Sequence, residues 1–292
     1  MEGARMAQYS QEFATGVAVI TGAGSGIGEG IARCAAEAGM RVVVADIAID
    51  RAESVAAAIR DGGGDARASE VDVAQPESLD ALARFSYDIY GEVTLLVNNA
   101  GIETVGFSWE LGAEAWERVL DINIHGAVHG VRAFAPKMIA AGKPAWIANT
   151  SSIGGFGITP LQTSYIMSKH AMIAYSECLF LEMEIKQAPV QVSVILPGPV
   201  KTRIFEDGQT ESDATSAAHR DVMMGMLQAN GISAYEAAQR ILPQIAAGDF
   251  WVSTHPEMTA EFAGNRAAQL SVLAKPSLPQ EVLANMGMAD AL

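Results

Sequence analysis

The chain has 292 residues, half of them apolar and 18% charged, with a formal net charge of −15. That size suits one large globular domain or two small ones. The acidic balance argues against nucleic acid or an anionic membrane surface as a partner, because both select basic faces.

The two cysteines, Cys34 and Cys178, make neither a disulfide framework nor a metal-ligand cluster, and are expected to be reduced thiols in a cytoplasmic protein. The opening "MEGARMAQYSQEFATG" has no apolar core of a secretion signal. No run of about eighteen apolar residues occurs, so no membrane span is expected.

Seven runs read as strands in chain order: 17–21, 41–46, 66–72, 93–99, 145–151, 190–196 and 250–254. Several are apolar almost throughout, as parallel strands covered on both faces are. Between them lie helical stretches at 27–39, 51–61, 77–90, 110–141, 163–187 and 234–247. This alternation predicts an α/β, doubly wound parallel sheet with right-handed crossovers. With no repeat or linker, one domain is expected over 1–292, its core at 14–255. Residues 203–233 hold no further strand signal and are read as a helical substrate cap. The alanine-rich residues 256–292 form a C-terminal extension that packs on the domain or on another subunit.

The first strand runs into "TGAGSGIGEG", where Gly22, Gly24, Gly26 and Gly28 let the backbone turn tightly and approach a ligand. A helix starting near Gly26 aims its N-terminal N–H groups at the turn, which favours a pyrophosphate. The spacing is G-x-x-x-G-x-G and not G-x-G-x-x-G. Asp46 ends the second strand, 18 residues past Gly28. A carboxylate there accepts from ribose hydroxyls and repels a 2′-phosphate. No basic residue sits in the turn or directly after Asp46, so NAD is expected over NADP.

In "TSYIMSKH", Tyr165 and Lys169 stand four apart, on one face of a helix. Facing a cleft, the ammonium would favour the phenolate and make a base of a group that ordinarily titrates near pH ~10. Taken alone, the pair also suits a surface tyrosine beside a surface lysine. His125 and His129 share a helix face but have no third ligand in sight, and no metal is expected. Met223, Met224 and Met226 suit either core packing or a substrate pocket.

"TGAGSGIG" (21–28), "NNAG" (98–101), "YIMSK" (165–169) and "PGPVKT" (197–202) occur in that order, and together they resemble the short-chain dehydrogenase/reductase family over residues 14–255. The resemblance implies a Rossmann fold with a seven-stranded parallel sheet flanked by helices. It implies a catalytic set of Asn123, Ser152, Tyr165 and Lys169. Ser152 stands 13 residues before Tyr165, the usual place of the serine, with Ser151 as its neighbour. Lys169 would hold the nicotinamide ribose and stabilise the Tyr165 phenolate. Ser152 would hold the substrate oxygen, and Asn123 would interrupt its helix and hold a water. Cofactor contacts are implied for Gly22, Ser25, Gly26, Ile27, Gly28 and Asp46, for Asp72 and Val73 at the adenine, and for Asn99, Ala100 and Gly101. Pro197, Gly198, Val200 and Thr202 would meet the nicotinamide half, beside Tyr165 and Lys169. "NNAG" would also stabilise the central sheet.

The function so implied is hydride transfer between NAD and a small-molecule secondary alcohol or ketone, by a homodimer or homotetramer. An idle NAD-binding regulatory or scaffold protein on the same fold is the other reading; the intact four-residue set favours the enzyme. The ending "FWVSTHPE" and the long tail resemble a narrower subgroup, bacterial dehydrogenases of aryl and lignin-derived secondary alcohols. Ile204, Phe205, Met223, Met224 and Leu227 would then cap a bulky aromatic or alicyclic substrate.

Overall fold

A computed structural model describes residues 15–211 and 213–278. Its centre is a seven-stranded parallel sheet in the order β3-β2-β1-β4-β6-β7-β9. The strands are β1 (Val17–Thr21), β2 (Arg41–Asp46), β3 (Ala66–Glu70), β4 (Leu95–Asn98), β6 (Ala145–Thr150), β7 (Val190–Leu196) and β9 (Trp251–Ser253). Every residue of β1 and β4 is buried, which is why these runs are apolar on both faces.

One face of the sheet is covered by α1 (Gly26–Glu37), α2 (Ile49–Asp61) and, later in the chain, α8 (Ala234–Ala246). Ile31, Val55, Ile241 and Ile245 join Ile20, Val42 and Val44 there in one apolar layer. On the other face lie α3 (Pro76–Tyr90), α5 (Gly126–Ala141) and α6 (Thr163–Lys186), packing Leu79, Phe134, Met138 and Met183 on Val19, Leu96 and Ile147. Gly30 is where α1 and α8 touch: a Cβ there would lie 2.4 Å from the Ala234 carbonyl oxygen. The chain order reverses between β1 and β4, and at such a point open sheets of this kind leave a crevice beyond the strand ends.

Three stretches depart from the sequence expectation. The helical run 110–141 is broken into α4 (Ala113–Leu120), a π turn (Asp121–His125) and α5. Residues 203–233 hold α7 (Ala214–Asn230) but also β8 (Gln209–Thr210), which pairs in parallel with β5 (Thr104–Val105). Two-residue strands are too short for any hydrophobic period to show. The start of the tail forms α9 (Pro256–Ser271), none of whose residues is buried. Position 14 of the expected core and residues 279–292 of the extension lie outside the described residues. Among the described residues no helix is long and apolar enough to cross a membrane.

Candidate active site

The glycine turn follows β1 directly. Gly22 has φ +63°, and a Cβ there would stand 2.8 Å from Ala100 Cα. A Cβ on Gly28 would lie 2.3 Å from the Gly22 carbonyl oxygen, so α1 approaches the turn as only glycine allows. Ser25 is the N-cap of α1 but makes no side-chain cap hydrogen bond. The first N–H groups of this helix therefore lack that side-chain partner, as an anion-binding helix start requires. Ile27 packs into the apolar layer beneath.

Asp46 ends β2 with both carboxylate oxygens engaged: Gly24 N–H donates to Oδ2 and Ala48 N–H to Oδ1, each at 2.9 Å. Arg51 comes beside it, since a Cβ on Gly24 would touch both Arg51 Cβ and Asp46 Cγ at 2.9 Å. Arg51 stands five residues past Asp46 in the sequence, and helix α2 carries it back to the turn. Its guanidinium pairs at 3.3 Å with Asp207 of the 203–233 segment. Asp72 Oδ1 accepts from Ala74 N–H at 3.0 Å, and Val73 packs on Gly126 at the start of α5.

"NNAG" ties the site to the sheet. Asn98 Nδ2 donates to Asn149 Oδ1 at 2.8 Å, and Asn149 Nδ2 donates to Ser176 Oγ at 3.1 Å, joining β4, β6 and α6 through buried side chains. Gly130 makes room for this, because a Cβ there would fall 2.1 Å from Asn98 Oδ1. Asn99 Nδ2 donates to the Thr21 and Gly22 carbonyls at 3.0 and 3.2 Å, and Thr21 Oγ1 accepts from Asn99 and Ala100 N–H. One tetrapeptide thus sets both the central sheet and the glycine turn.

Asn123 sits within the π turn that interrupts the helical run. Its side chain brackets Ile102: Oδ1 accepts from Ile102 N–H at 2.8 Å while Nδ2 donates to Ile102 O at 2.9 Å. Nδ2 also donates to Ser168 Oγ at 3.0 Å. Gly101 lies between Asn123 and Lys169; a Cβ on it would be 3.4 Å from Asn123 Oδ1 and 3.5 Å from Lys169 Nζ.

Ser151 and Ser152 diverge at the end of β6. Ser151 Oγ donates to the Lys169 carbonyl at 2.7 Å and braces α6. Ser152 accepts from Gly154 N–H at 3.0 Å and hydrogen-bonds the Tyr165 phenol. Lys169 Nζ stands 5.2 Å from the centre of the Tyr165 ring and donates to the Thr150 carbonyl at 3.1 Å. Burial draws the Lys169 ammonium down to about 8, against the Glu103 carboxyl, which holds it up. Burial pushes the Tyr165 phenol up, Glu103 adds to the rise, and only the Ser152 hydrogen bond opposes it. Among the protein's own groups the phenol is therefore not lowered, contrary to the expectation from the pair alone. The i, i+4 spacing lays the ammonium over the ring and toward Thr150. Glu103, a buried acid bonded to Gln162 just before α6, carries no motif that singles it out in the sequence.

"PGPVKT" leaves β7 and crosses toward the glycine turn. Pro197 O accepts from Ile153 N–H at 3.1 Å, and Gly198 N–H donates to Thr254 Oγ1 at 2.9 Å. Val200 pairs with Ile232, and Thr202 Cγ2 would stand 3.3 Å from a Cβ on Gly26. Above the site, Ile204, Phe205, Met223, Met224 and Leu227 pack with Val105, Phe107 and Leu161 in a small apolar cluster. Met226 points outward. His125 pairs with Asp121 at 2.8 Å, at the surface.

With this geometry in view, the comparisons are specific. The short chain dehydrogenase family model matches residues 16–214, and the chain belongs to that family. It is an oxidoreductase acting on CH–OH groups. Cyclohexanol dehydrogenase of Acinetobacter sp. (strain SE19) is 36% identical over 200 residues, 68% of this chain and 78% of that protein. The crystal structure of a short-chain dehydrogenase/reductase from Burkholderia phymatum, in complex with NAD, superposes with a TM-score of 0.88 at 31% identity, covering 92% of this chain and 98% of that one. A metagenomic short-chain oxidoreductase in complex with NADP is 32% identical, with a TM-score of 0.60 over 63% of this chain and 82% of its own.

Proposed function

We propose that the chain is an NAD-dependent dehydrogenase of a bulky alicyclic or aromatic secondary alcohol, or a reductase of the matching ketone, with Tyr165 as its general acid/base. The observation that carries this reading is the convergence of Ser152, Tyr165 and Lys169 at the crevice end of the sheet, opposite the open start of α1. The relative that acts on cyclohexanol supports the substrate class, and the apolar cluster over the site is compatible with it.

Gly22, Gly26 and Gly28 with the uncapped start of α1 would take the pyrophosphate, and Asp46 the adenosine ribose. Ser25, Asp72, Val73, Asn99, Ala100 and Gly101 would line the path between adenine and nicotinamide. Pro197, Gly198, Val200 and Thr202 would close its far side. Asp46 favours NAD; Arg51, the nearby cation, is paired with Asp207. When bound, the dinucleotide supplies the hydride acceptor for the alcohol carbon. Ser152 holds the substrate oxygen by hydrogen bond. Tyr165 takes the hydroxyl proton in oxidation and returns it in reduction. Lys169 holds the ribose, and at about 8 its ammonium can pass a proton near neutral pH. Asn123 keeps the 101–102 backbone in place behind Lys169. Leu181 and Ile185 stand exposed on α6, as a face shared with a second copy would, and a homodimer or homotetramer is the assembly we infer.

Tyr165→Phe tests the acid/base role. Oxidation of cyclohexanol, followed by absorbance of NADH, is expected to fall at least about 10³-fold, while NAD affinity stays within about twofold. Lys169→Ala is expected to weaken both. Activity above a few per cent in Tyr165→Phe would mean that another group moves the proton.

A further inference from the structure

We propose that Glu103 is a positioning residue of the acid/base step: its buried carboxylate, fixed at the start of the helix that carries Tyr165 and Lys169, sets the pH at which that pair gives up a proton. This rests on Tyr165 being the base.

Glu103 is 1% exposed, and an acid so deep in a protein needs partners. Both its oxygens accept: Oε1 from Thr104 N–H at 3.1 Å and Oε2 from Gln162 Nε2 at 3.0 Å. A carboxylate can ionise here without giving up either bond. Gln162 is itself buried and is the residue before α6, three places ahead of Tyr165. The bond therefore ties Glu103 to the start of the helix that carries Tyr165 and Lys169.

Neighbouring contacts repeat the tie. Thr104 Oγ1 and Ser164 Oγ share a hydrogen bond, and Gly106 N–H donates to the Leu161 carbonyl at 2.8 Å. Leu161 is held at φ +67°, a conformation leucine rarely adopts. Such a backbone persists only where its surroundings over-determine it. On the other side, Gly101 closes against Asn123 and Lys169. Residues 101–104 are thus threaded between the π turn and the start of α6, with Glu103 fixed in the gap.

The charge has consequences on both sides. Glu103 holds the Lys169 ammonium up against its burial, and it raises the Tyr165 phenol. Burial pushes Glu103 itself well above the usual carboxylate range, and Thr104 N–H, Lys169 and Gln162 oppose that rise without cancelling it. Charged groups of the segment over the site also come near. Glu211 lies against Gly106, and the Asp207–Arg203 pair flanks Gly208, which touches the Glu103 carbonyl. Asp207 and Arg203 are exposed, where solvent screens them. The three buried groups titrate together, and an added negative charge makes every proton of the Tyr165–Lys169 pair harder to remove. Without that charge the pair loses its proton at lower pH.

Glu103→Gln keeps the shape and removes the charge. With ε-¹³C-lysine in the full chain, the Lys169 resonance is identified by its absence in Lys169→Arg and titrated by NMR. Its midpoint is expected to fall by about one pH unit or more in Glu103→Gln; an unchanged or raised midpoint overturns the proposal. For cyclohexanol oxidation with NAD, the acid limb of kcat/KM is expected to move to lower pH, and a limb that stays in place overturns it too. If cyclohexanol is not turned over, the NMR midpoint decides alone. Should Glu103→Gln not fold, Glu103→Met combined with Gln162→Met removes the charge and its donor together, and the same midpoint is read. Failure of the underlying reading is separate: full activity in Tyr165→Phe removes Tyr165 as the base, whatever the lysine midpoint does.

Discussion

Replacing Asn123 by alanine should cost both stability and activity, and the structure gives the size. The side chain makes three hydrogen bonds: from Ile102 N–H at 2.8 Å, to Ile102 O at 2.9 Å and to Ser168 Oγ at 3.0 Å. Asn123 is 4% exposed, so water cannot simply replace it. At about 1 kcal/mol for each bond, and somewhat more for a buried group left unmet, the loss is about 2–4 kcal/mol. For a chain of this size that lowers Tm by about 3–7 °C. Asn123→Asp separates the contributions: it keeps an acceptor for Ile102 N–H but loses both donations. Its second carboxylate oxygen faces the Ile102 carbonyl in a buried site, so it should be no more stable than alanine and should also displace the backbone beside Lys169. The assay is thermal unfolding of the three proteins, paired with kcat for cyclohexanol oxidation. A Tm within about 2 °C of the parent for Asn123→Ala would refute the claim that this side chain anchors the 101–102 backbone.

Further outcomes follow from other parts of the molecule. NAD is expected to bind more tightly than NADP, and Asp46→Ala to narrow the gap, because both ribose contacts and the repulsion of a 2′-phosphate go with the carboxylate; dissociation constants for the two cofactors check this, and equal or tighter NADP binding in the parent would oppose it. Residues 203–233 are expected to exchange amide hydrogens faster before NAD and cyclohexanol are added than after. Strong protection in both states would make the segment a fixed part of the core, as its cluster around Phe205 and Val105 also permits. Burial pushes the Cys34 thiol up to about 12, so at pH 8 it stays protonated and unreactive while the exposed Cys178 reacts. Thiol titration should therefore count one group in the native protein and two in denaturant.

The sequence by itself determined the sheet, the turn and the helix that carries Tyr165. Those features are local. Strand β1 is apolar because both its faces are covered, the glycines are where the backbone has no room for a Cβ, and an i, i+4 pair shares a helix face wherever that helix goes. Even the choice between Ser151 and Ser152 was legible as a spacing, and the structure separates the two by what each touches.

Tertiary structure decided what depends on groups far apart in the chain. Arg51 reaches the glycine turn because α2 packs back on β2, and its partner Asp207 is 156 residues away. The two-residue strands β5 and β8 exist only as a pair, because neither is long enough to leave a pattern. Met223, Met224 and Leu227 turn inward, and Met226 outward, because Val105 and Phe107 lie beneath the first three. Glu103 read as one acid among 34 acidic residues until the fold enclosed it between Gln162 and Thr104. A titrating group takes its character from burial and from charges brought near by folding, and neither is written in its neighbours along the chain.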